Sequence, residues 1–318
     1  HLVCVCIRFI CFYSFIFRYL SDDQNKFIQI MTDEVTILWF RNDLRVHDNV
    51  LLTYPEISDV SKTVIGIYCM DPRYVGGDDV STFTKKWKHP HIIPDLIDQI
   101  KNHSSSRCAP HRAYFLAETL HSFKQTLQDK FGMPLFIVRG TPENEISTLL
   151  SGKKLNVNLY FQGEDTSEEI QVEQDLIKRL QVDHNVTVKK HYSHTLYHRD
   201  DIQAKMKYDI INEKLPFPFG EFFHKLCKTV PIRKEVHPAK VKNPSSRFPA
   251  TTKIFQIPSQ TSLLDILQLI NPHYSGNKDR DITNTFSMNS SKPANLFKHI
   301  GGEEHALHRL SDYVQKGL

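Results

Sequence analysis

No GxGxxG turn follows the first apolar run of this chain, and no GxxxxGK[ST] loop occurs anywhere in its 318 residues. The two common ways of cradling a phosphate on backbone N–H groups are therefore absent, which excludes an ordinary dinucleotide-binding or P-loop domain. The strained GxSxG elbow that exposes a nucleophilic serine is missing as well. So are CxxC, HExxH and finger-type Cys/His spacings, and no metal site is expected. Of six cysteines, Cys4, Cys6 and Cys11 crowd the first eleven residues, while Cys69, Cys108 and Cys227 lie far apart. That is no disulfide framework, and a reducing compartment is expected. Excess charge of one sign is lacking too: 40 Lys and Arg against 36 Asp and Glu leave +4, too little to mark a nucleic-acid binder on whole-chain charge. Nor is there an uninterrupted membrane-length apolar run. Residues 2–20 are broken by Arg8 and Arg18, and a central arginine costs about 3 kcal/mol at membrane depth, so no stable membrane association is expected.

What remains, 40% hydrophobic and 24% charged residues, is the composition of a globular protein. The sequence begins with His1, and its first twenty-one residues hold two arginines and no acid. We read residues 1–31 as a leader or gene-model extension, with Met31 starting the folded protein; a targeting segment is the other reading. After Met31 the pattern alternates. Val35–Phe40, Thr63–Cys69, Leu135–Val138, Val157–Phe161 and Val186–Lys190 have the character of buried strands. Between them, Leu116, Leu120, Phe123 and Leu127 recur at helical steps, Thr141-Pro142 marks a helix start, and Thr166 with Glu169 forms a capping-box pattern. Five strands with crossover helices predict an α/β fold: a parallel, doubly wound, Rossmann-like sheet over residues 32–200. Ligands of such sheets bind beyond the carboxyl ends of the strands, so a site is sought in the loops after Phe40, Cys69, Val138 and Phe161.

Beyond Asp200 proline-rich and polar stretches read as connector and surface loop over 201–296, with short helices at Glu221–Lys228 and Ser262–Leu269. Residues 297–318 read as the first helix of a truncated all-helical domain, with Ala306, Leu310 and Tyr313 on one side. His305 and His308, three apart on this helix, are surface or packing residues. From Lys189 to Lys253 there are fourteen basic and six acidic side chains and six prolines. That excess fits either an anionic partner or a solvated, partly extended connector. The block WFRNDLRVHDN, Trp39 to Asn49, places Arg41, Asp43, Arg45 and Asp48 beyond the first strand. These charges are read as pairing with one another rather than binding an anion, with Asp48 also able to cap the following helix. Glu164, in the loop after the fourth strand, stands as an acidic helix-start residue on physics alone.

The same block resembles the opening signature of the photolyase and cryptochrome family. DPR at Asp71 to Arg73, the segment carrying Arg112, Phe115 and Leu116, and the G-x-P-E turn at Gly140 to Glu143 follow in family order. GEDTSEE from Gly163, LPFPFGEFFHKLCKTVPIR and GGEEHALHRL from Gly301 resemble the DASH cryptochromes in particular. The resemblance implies a blue-light flavoprotein that repairs cyclobutane pyrimidine dimers, mainly in single-stranded DNA, by light-driven electron transfer; a non-enzymatic photoreceptor or nucleic-acid-binding protein of the same fold is the alternative. It implies a monomer, FAD held in the helical domain, and a methenyltetrahydrofolate antenna at the α/β domain, with Glu164 as the acidic residue at the pterin. The family's flavin-contacting segment is not within these residues, so no catalytic residue is assigned and the 318 residues alone are expected to bind no FAD. Trp39 and Trp87 both lie in the α/β half and carry over no photoreduction role. Asn158 to Gly163, NLYFQG, resembles a protease-tag scar but falls where the fourth strand belongs, and is read as native.

Overall fold

The computed structural model describes residues 34–75, 108–193, 195–206, 219–256, 262–277 and 300–316. The expected leader, Trp87 and most of the polar stretch before Gly301 lie outside the described residues. The five apolar runs form strands β1 (Glu34–Phe40), β2 (Thr63–Met70), β3 (Leu135–Arg139), β4 (Asn156–Gln162) and β5 (Asn185–His191), each within a residue of its expected ends. They make one sheet in the order β3-β2-β1-β4-β5, with every neighbouring pair parallel. β1 is central, Val35 lying opposite Thr63 on one side and Val157 on the other.

The inner strands β1, β2 and β4 are buried on both faces, which is why they read as near-continuous apolar runs, while the edge strand β5 has no buried residue and alternates. Val35, Ile37, Trp39, Leu159 and Phe161 face helices α2 (Pro142–Leu150) and α3 (Ser167–Asp183). Leu38, Phe40, Val64 and Tyr160 face the carboxyl half of α1 (Pro110–Phe131), through Phe123, Leu127 and Phe131. The expected stripe on α1 is present, although Leu116 at its start is only partly covered. α1 stops at Gly132, whose left-handed backbone (φ 61°) turns its N–H onto the Gln128 and Leu127 carbonyls. A Cβ there would lie 1.8 Å from the Pro244 carbonyl oxygen, so conformation and close approach both demand glycine.

Two expected caps differ in detail. Thr141 occupies the N-cap of α2 with extended backbone, yet its hydroxyl makes no cap bond and its Oγ1 is buried without a partner. Pro142 at the first helical position has no N–H, and the Asn144 and Glu145 N–H groups turn to the Thr141 carbonyl instead, both at 2.9 Å. Thr166 Oγ1 does accept the Glu169 N–H at 3.4 Å, but the Glu169 carboxylate meets the Thr166 hydroxyl at 3.3 Å, not its backbone. Only half of the capping box forms.

α4 (Arg199–Met206) and α5 (Phe219–Thr229) share a small cluster of Met206, Phe222, Leu226 and Val230. The segment expected to be connector and surface loop is then drawn into the body of the domain. α6 (Phe248–Ile254) leads to Phe255 in the core under α2 and α3. α7 (Leu263–Ile270), capped by a full box between Ser262 and Asp265, buries Ile266, Leu267 and Ile270 with Ala113, Ala117 and Leu120 of α1. Arg247, fully buried, donates to the carbonyls of Phe131, Ile57, Glu56 and Lys62. The spacing of the prolines says nothing of what the intervening apolar residues touch.

α8 (Glu303–Lys316) has no buried residue among those described, so Leu310 and Tyr313 stand exposed. It is keyed to the α/β domain at its start. Glu303 accepts the N–H groups of Val46 and His47 at 2.9 and 2.8 Å, and Gly301 N–H meets Glu118 at 2.9 Å.

Candidate functional site

Because β2 and β3 lie to one side of β1 and β4 to the other, the loops leaving β1 and β4 diverge and open a crevice at the carboxyl edge of the sheet. A cavity of about 230 Å³ sits at this edge, lined among others by Trp39, Arg41, Tyr68, Tyr74, Arg112 and Glu169. Residues that follow β1, β2 and β3 converge on it with Glu169 and Val172 of α3 and with Arg112, Phe115 and Leu116 of α1, whereas Glu164 in the loop after β4 is not among its lining residues.

The Arg41 guanidinium lies over the Trp39 ring, 4.7 Å from its centroid, and donates to Glu173 of α3. Glu173 is only 3% exposed. It takes the Lys190 ammonium on one oxygen and the Glu164 backbone N–H, at 3.1 Å, on the other. A buried carboxylate is tolerable only when paired and hydrogen-bonded, and here two cations and an amide meet that need. Sequence reasoning missed Glu173. The signal was present: it falls three residues before Leu176 and seven before Leu180, on the face that Val172, Leu176 and Leu180 bury.

Glu164 itself sits half-buried in the loop after β4, where its carboxylate accepts Asn42 Nδ2 at 2.6 Å. It lies just before α3, so the helix-start reading is compatible with its place. Within WFRNDLRVHDN the expected internal pairing forms once: Arg45 grips Asp43 through Nε and Nη2, both at 2.9 Å. Burial opposes the Asp43 charge, but the bonds from Arg45 and Gln162 more than offset it and hold the carboxyl below its ordinary range. Arg41 leaves the block to join Glu173. Asp48 caps no helix; its backbone is left-handed (φ 53°) and its carboxylate accepts Val236 N–H at 2.8 Å. The cap falls to Asn49, whose Oδ1 takes Leu51 N–H at 3.0 Å.

Two further motifs become one cluster. Arg73 binds Asp71 through Nε, at 2.9 Å to Oδ1, and binds both oxygens of Glu143 at 3.1 Å, joining the ends of β2 and β3. Burial works against this guanidinium, yet the two carboxylates raise its pKa overall. Burial raises Tyr68 and Tyr74 to about 12, with Glu169 and Asp71 adding to the shift at Tyr74. It also pushes the Cys69 thiol up. Glu169 is raised by burial and by the Glu164 charge, with Arg41 opposing. At neutral pH the phenols and the thiol are uncharged, leaving the cavity an aromatic surface that carries the Arg41 and Arg112 guanidinium groups beside the carboxyl groups of Asp71 and Glu169. Among the described residues no group of three His, Cys, Asp or Glu side chains is placed to hold a metal, and no helix is long and apolar enough to cross a membrane.

A family model described as DNA photolyase matches residues 36–239. The chain is 29% identical over 289 residues to a Gloeobacter violaceus protein named cryptochrome DASH, covering 91% of this chain and 46% of that protein. It is also 29% identical to the Arabidopsis thaliana blue-light photoreceptor PHR2, covering 87% of this chain and 50% of that one. The chain thus spans about half the length of these curated relatives. Among solved structures, the Synechocystis sp. PCC6803 cryptochrome superposes with a TM-score of 0.56 at 22% identity, over 89% of this chain and 47% of that one, a likeness of fold. With the ordered loop motifs and the parallel sheet beneath them, the match over 36–239 shows that the chain belongs to the DNA photolyase family.

Proposed function

We propose that this chain is the light-harvesting half of a DASH-type cryptochrome. Residues 32–200 serve as the antenna domain, 201–296 as connector and 297–318 as the first helix of the flavin domain. The whole protein, on this reading, uses FAD to split cyclobutane pyrimidine dimers in single-stranded DNA. The observation that carries the reading is the setting of Glu164: a half-buried carboxylate at the carboxyl edge of β4, held by Asn42 and by the Glu173 carboxylate on its backbone. A carboxylate presents two oxygens with about four acceptor sites, the complement of two adjacent N–H groups on the edge of a pterin. The residues present therefore fit methenyltetrahydrofolate, which when bound would supply near-ultraviolet absorption and transfer of that energy. Glu164 would hold the pterin edge and Asn42 would fix the carboxylate's orientation, lowering the entropy lost on binding.

The test is a folate titration of the full-length protein. Glu164→Gln removes a charge-assisted acceptor, a loss of about 1.5–3 kcal/mol, and should weaken binding by about 10- to 150-fold without changing the melting temperature. Equal affinities would return Glu164 to a helix-start role. A photoreceptor without repair activity is the second reading, favoured by the name of the Arabidopsis relative. Illuminating the flavin-loaded protein with a dimer-containing oligonucleotide separates the two, since only the repair reading restores two unlinked adjacent thymines.

A further inference from the structure

Part of the apolar surface of α5 is left uncovered. Phe222 and Leu226, four residues apart, form a row buried in the small cluster with Met206 and Val230. Phe219, Phe223 and Cys227 form the next row round the helix and are exposed. The apolar arc of α5 is therefore two rows wide, and the domain covers one of them. The exposed rings lie against each other, with centroids 5.9 Å apart and planes 21° from parallel. Leu196 and Ile232 extend the patch. Leu196 precedes Tyr197, which packs on the same cluster and donates its hydroxyl to Cys227 Sγ at 3.5 Å, and Ile232 lies two residues after Val230. These four large side chains are 48 to 67% exposed. Cations border them: His224 and Lys228 occupy the row beyond Cys227, Lys225 and Lys234 are exposed as well, and residues 219–242 hold six Lys and Arg against two Glu.

We propose that this patch docks the protein reversibly on the surface of an anionic lipid bilayer. A helix with an aromatic row beside a cationic one lies in the interface plane: the rings enter the headgroup region and the lysines reach the lipid phosphates along their own stems. It rests on the membrane and does not cross it. A protein that wraps an amphipathic helix would need Phe222 and Leu226 too, and those are committed to the domain. A second copy of the chain would set the same cations against one another around a small apolar patch. A single nucleic-acid strand stacks its bases on open aromatic faces, whereas Phe219 and Phe223 each give one face to the other, and Leu196 and Ile232 have none to give. A flat, partly aliphatic patch bordered by cations is the complement of a surface that is negative outside and apolar just beneath. Few side chains insert, so the attachment is weak and needs both the charge and the rings.

The test is sedimentation of the full-length protein, in the dark, with vesicles of phosphatidylcholine alone or of phosphatidylcholine mixed with phosphatidylserine. Binding is expected to the mixed vesicles only, and should weaken as salt rises from about 50 to 200 mM and screens the lysines. Phe219→Ser together with Phe223→Ser should lower the partition coefficient by about tenfold or more, the equivalent of burying one such ring. Lys225→Gln, Lys228→Gln and Lys234→Gln together should remove most of the preference for phosphatidylserine. Val182→Ser with Leu264→Ser, at exposed apolar positions on α3 and α7, should change nothing. Phe223→Trp reads insertion directly, as a blue shift of its emission on adding mixed vesicles, taken as the difference from the parent. The proposal is overturned by equal binding to both kinds of vesicle or by binding to neither. Without vesicle binding, a lowered melting temperature in the double phenylalanine variant would assign the row to a contact within the protein, dimerisation lost in that variant would assign it to a second copy, and capture of an oligothymidylate would assign it to nucleic acid. No chromophore enters the test, so its failure leaves the antenna reading untouched.

Discussion

Arg247 offers the sharpest test of how the segment after β5 is held to the sheet. Its side chain is fully buried, with no carboxylate in ion-pair reach among the described residues, and it donates to the Phe131 and Lys62 carbonyls at 3.0 Å as well as to Ile57 and Glu56. These four carbonyls come from the end of α1 and from the turn between β1 and β2, so one guanidinium ties three parts of the chain together. Burial lowers its pKa to about 10, which still leaves it charged at neutral pH. Replacing it with alanine strands the acceptors and opens a cavity. A hydrogen bond to a charged group contributes about 1.5–3 kcal/mol, but relief of the buried charge and water entering the cavity return part of the sum. The net loss should be about 3–5 kcal/mol, the range for breaking a buried charged network.

Urea unfolding of Arg247→Ala against the parent, followed by circular dichroism, reads this loss as a fall in midpoint at constant slope. Arg247→Lys keeps the charge but, as a compact ammonium, cannot span four carbonyls, and should fall between the two. If the segment detaches without global unfolding, trypsin should cleave first at Lys240, Lys242 and Lys253, all exposed. A loss below about 1 kcal/mol together with unchanged proteolysis would refute the view that Arg247 clamps the segment.

Glu173→Gln leaves Arg41 and Lys190 without their buried counter-charge, and should cost about 3–5 kcal/mol in urea unfolding; a loss inside the half-kcal/mol scatter of surface substitutions would remove Glu173 as the organiser of the site. His191 gives a pH signature. Its ring meets the Tyr54 hydroxyl, and burial, then the charges of Lys189 and His198, lower its pKa. Folding keeps it neutral while the unfolded chain takes up a proton as pH falls through about 6.5, so stability is full above that pH and declines below it toward the folded-state pKa. His191→Gln should flatten that part of the stability profile, and an unaltered slope would assign the decline to other groups.

The inner strands β1, β2 and β4 were legible because they are buried on both faces, so their residue types reflect one demand along most of their length, whereas the edge strand β5 was legible from the alternation of Val186 and Val188 with exposed polar residues. Helix starts were legible by position, since Pro142, Thr166 and Ser262 act on backbone groups a few residues away. Their chemistry was less so. Thr141 fills the cap position without bonding, and Asn49 takes the role read for Asp48, because a left-handed backbone at Asp48 turns its carboxylate toward Val236. Such choices depend on one dihedral angle that residue type alone does not fix.

The candidate site divides along the same line. Arg45 pairs with Asp43 two residues away, a partner that any extended loop brings within reach. Arg41, in the same block and of the same type, finds Glu173 132 residues along the chain. What distinguishes the two arginines is the sheet order: β4 returns beside β1, so α3 arrives over the end of β1 and delivers its one buried carboxylate there. The same placement puts the Glu164 amide on that carboxylate, so the position of the antenna candidate is fixed by a topology that only the assembled sheet contains. Motif order carries the family because it preserves the strands that make this topology. The pairings themselves become visible only when the crossovers close.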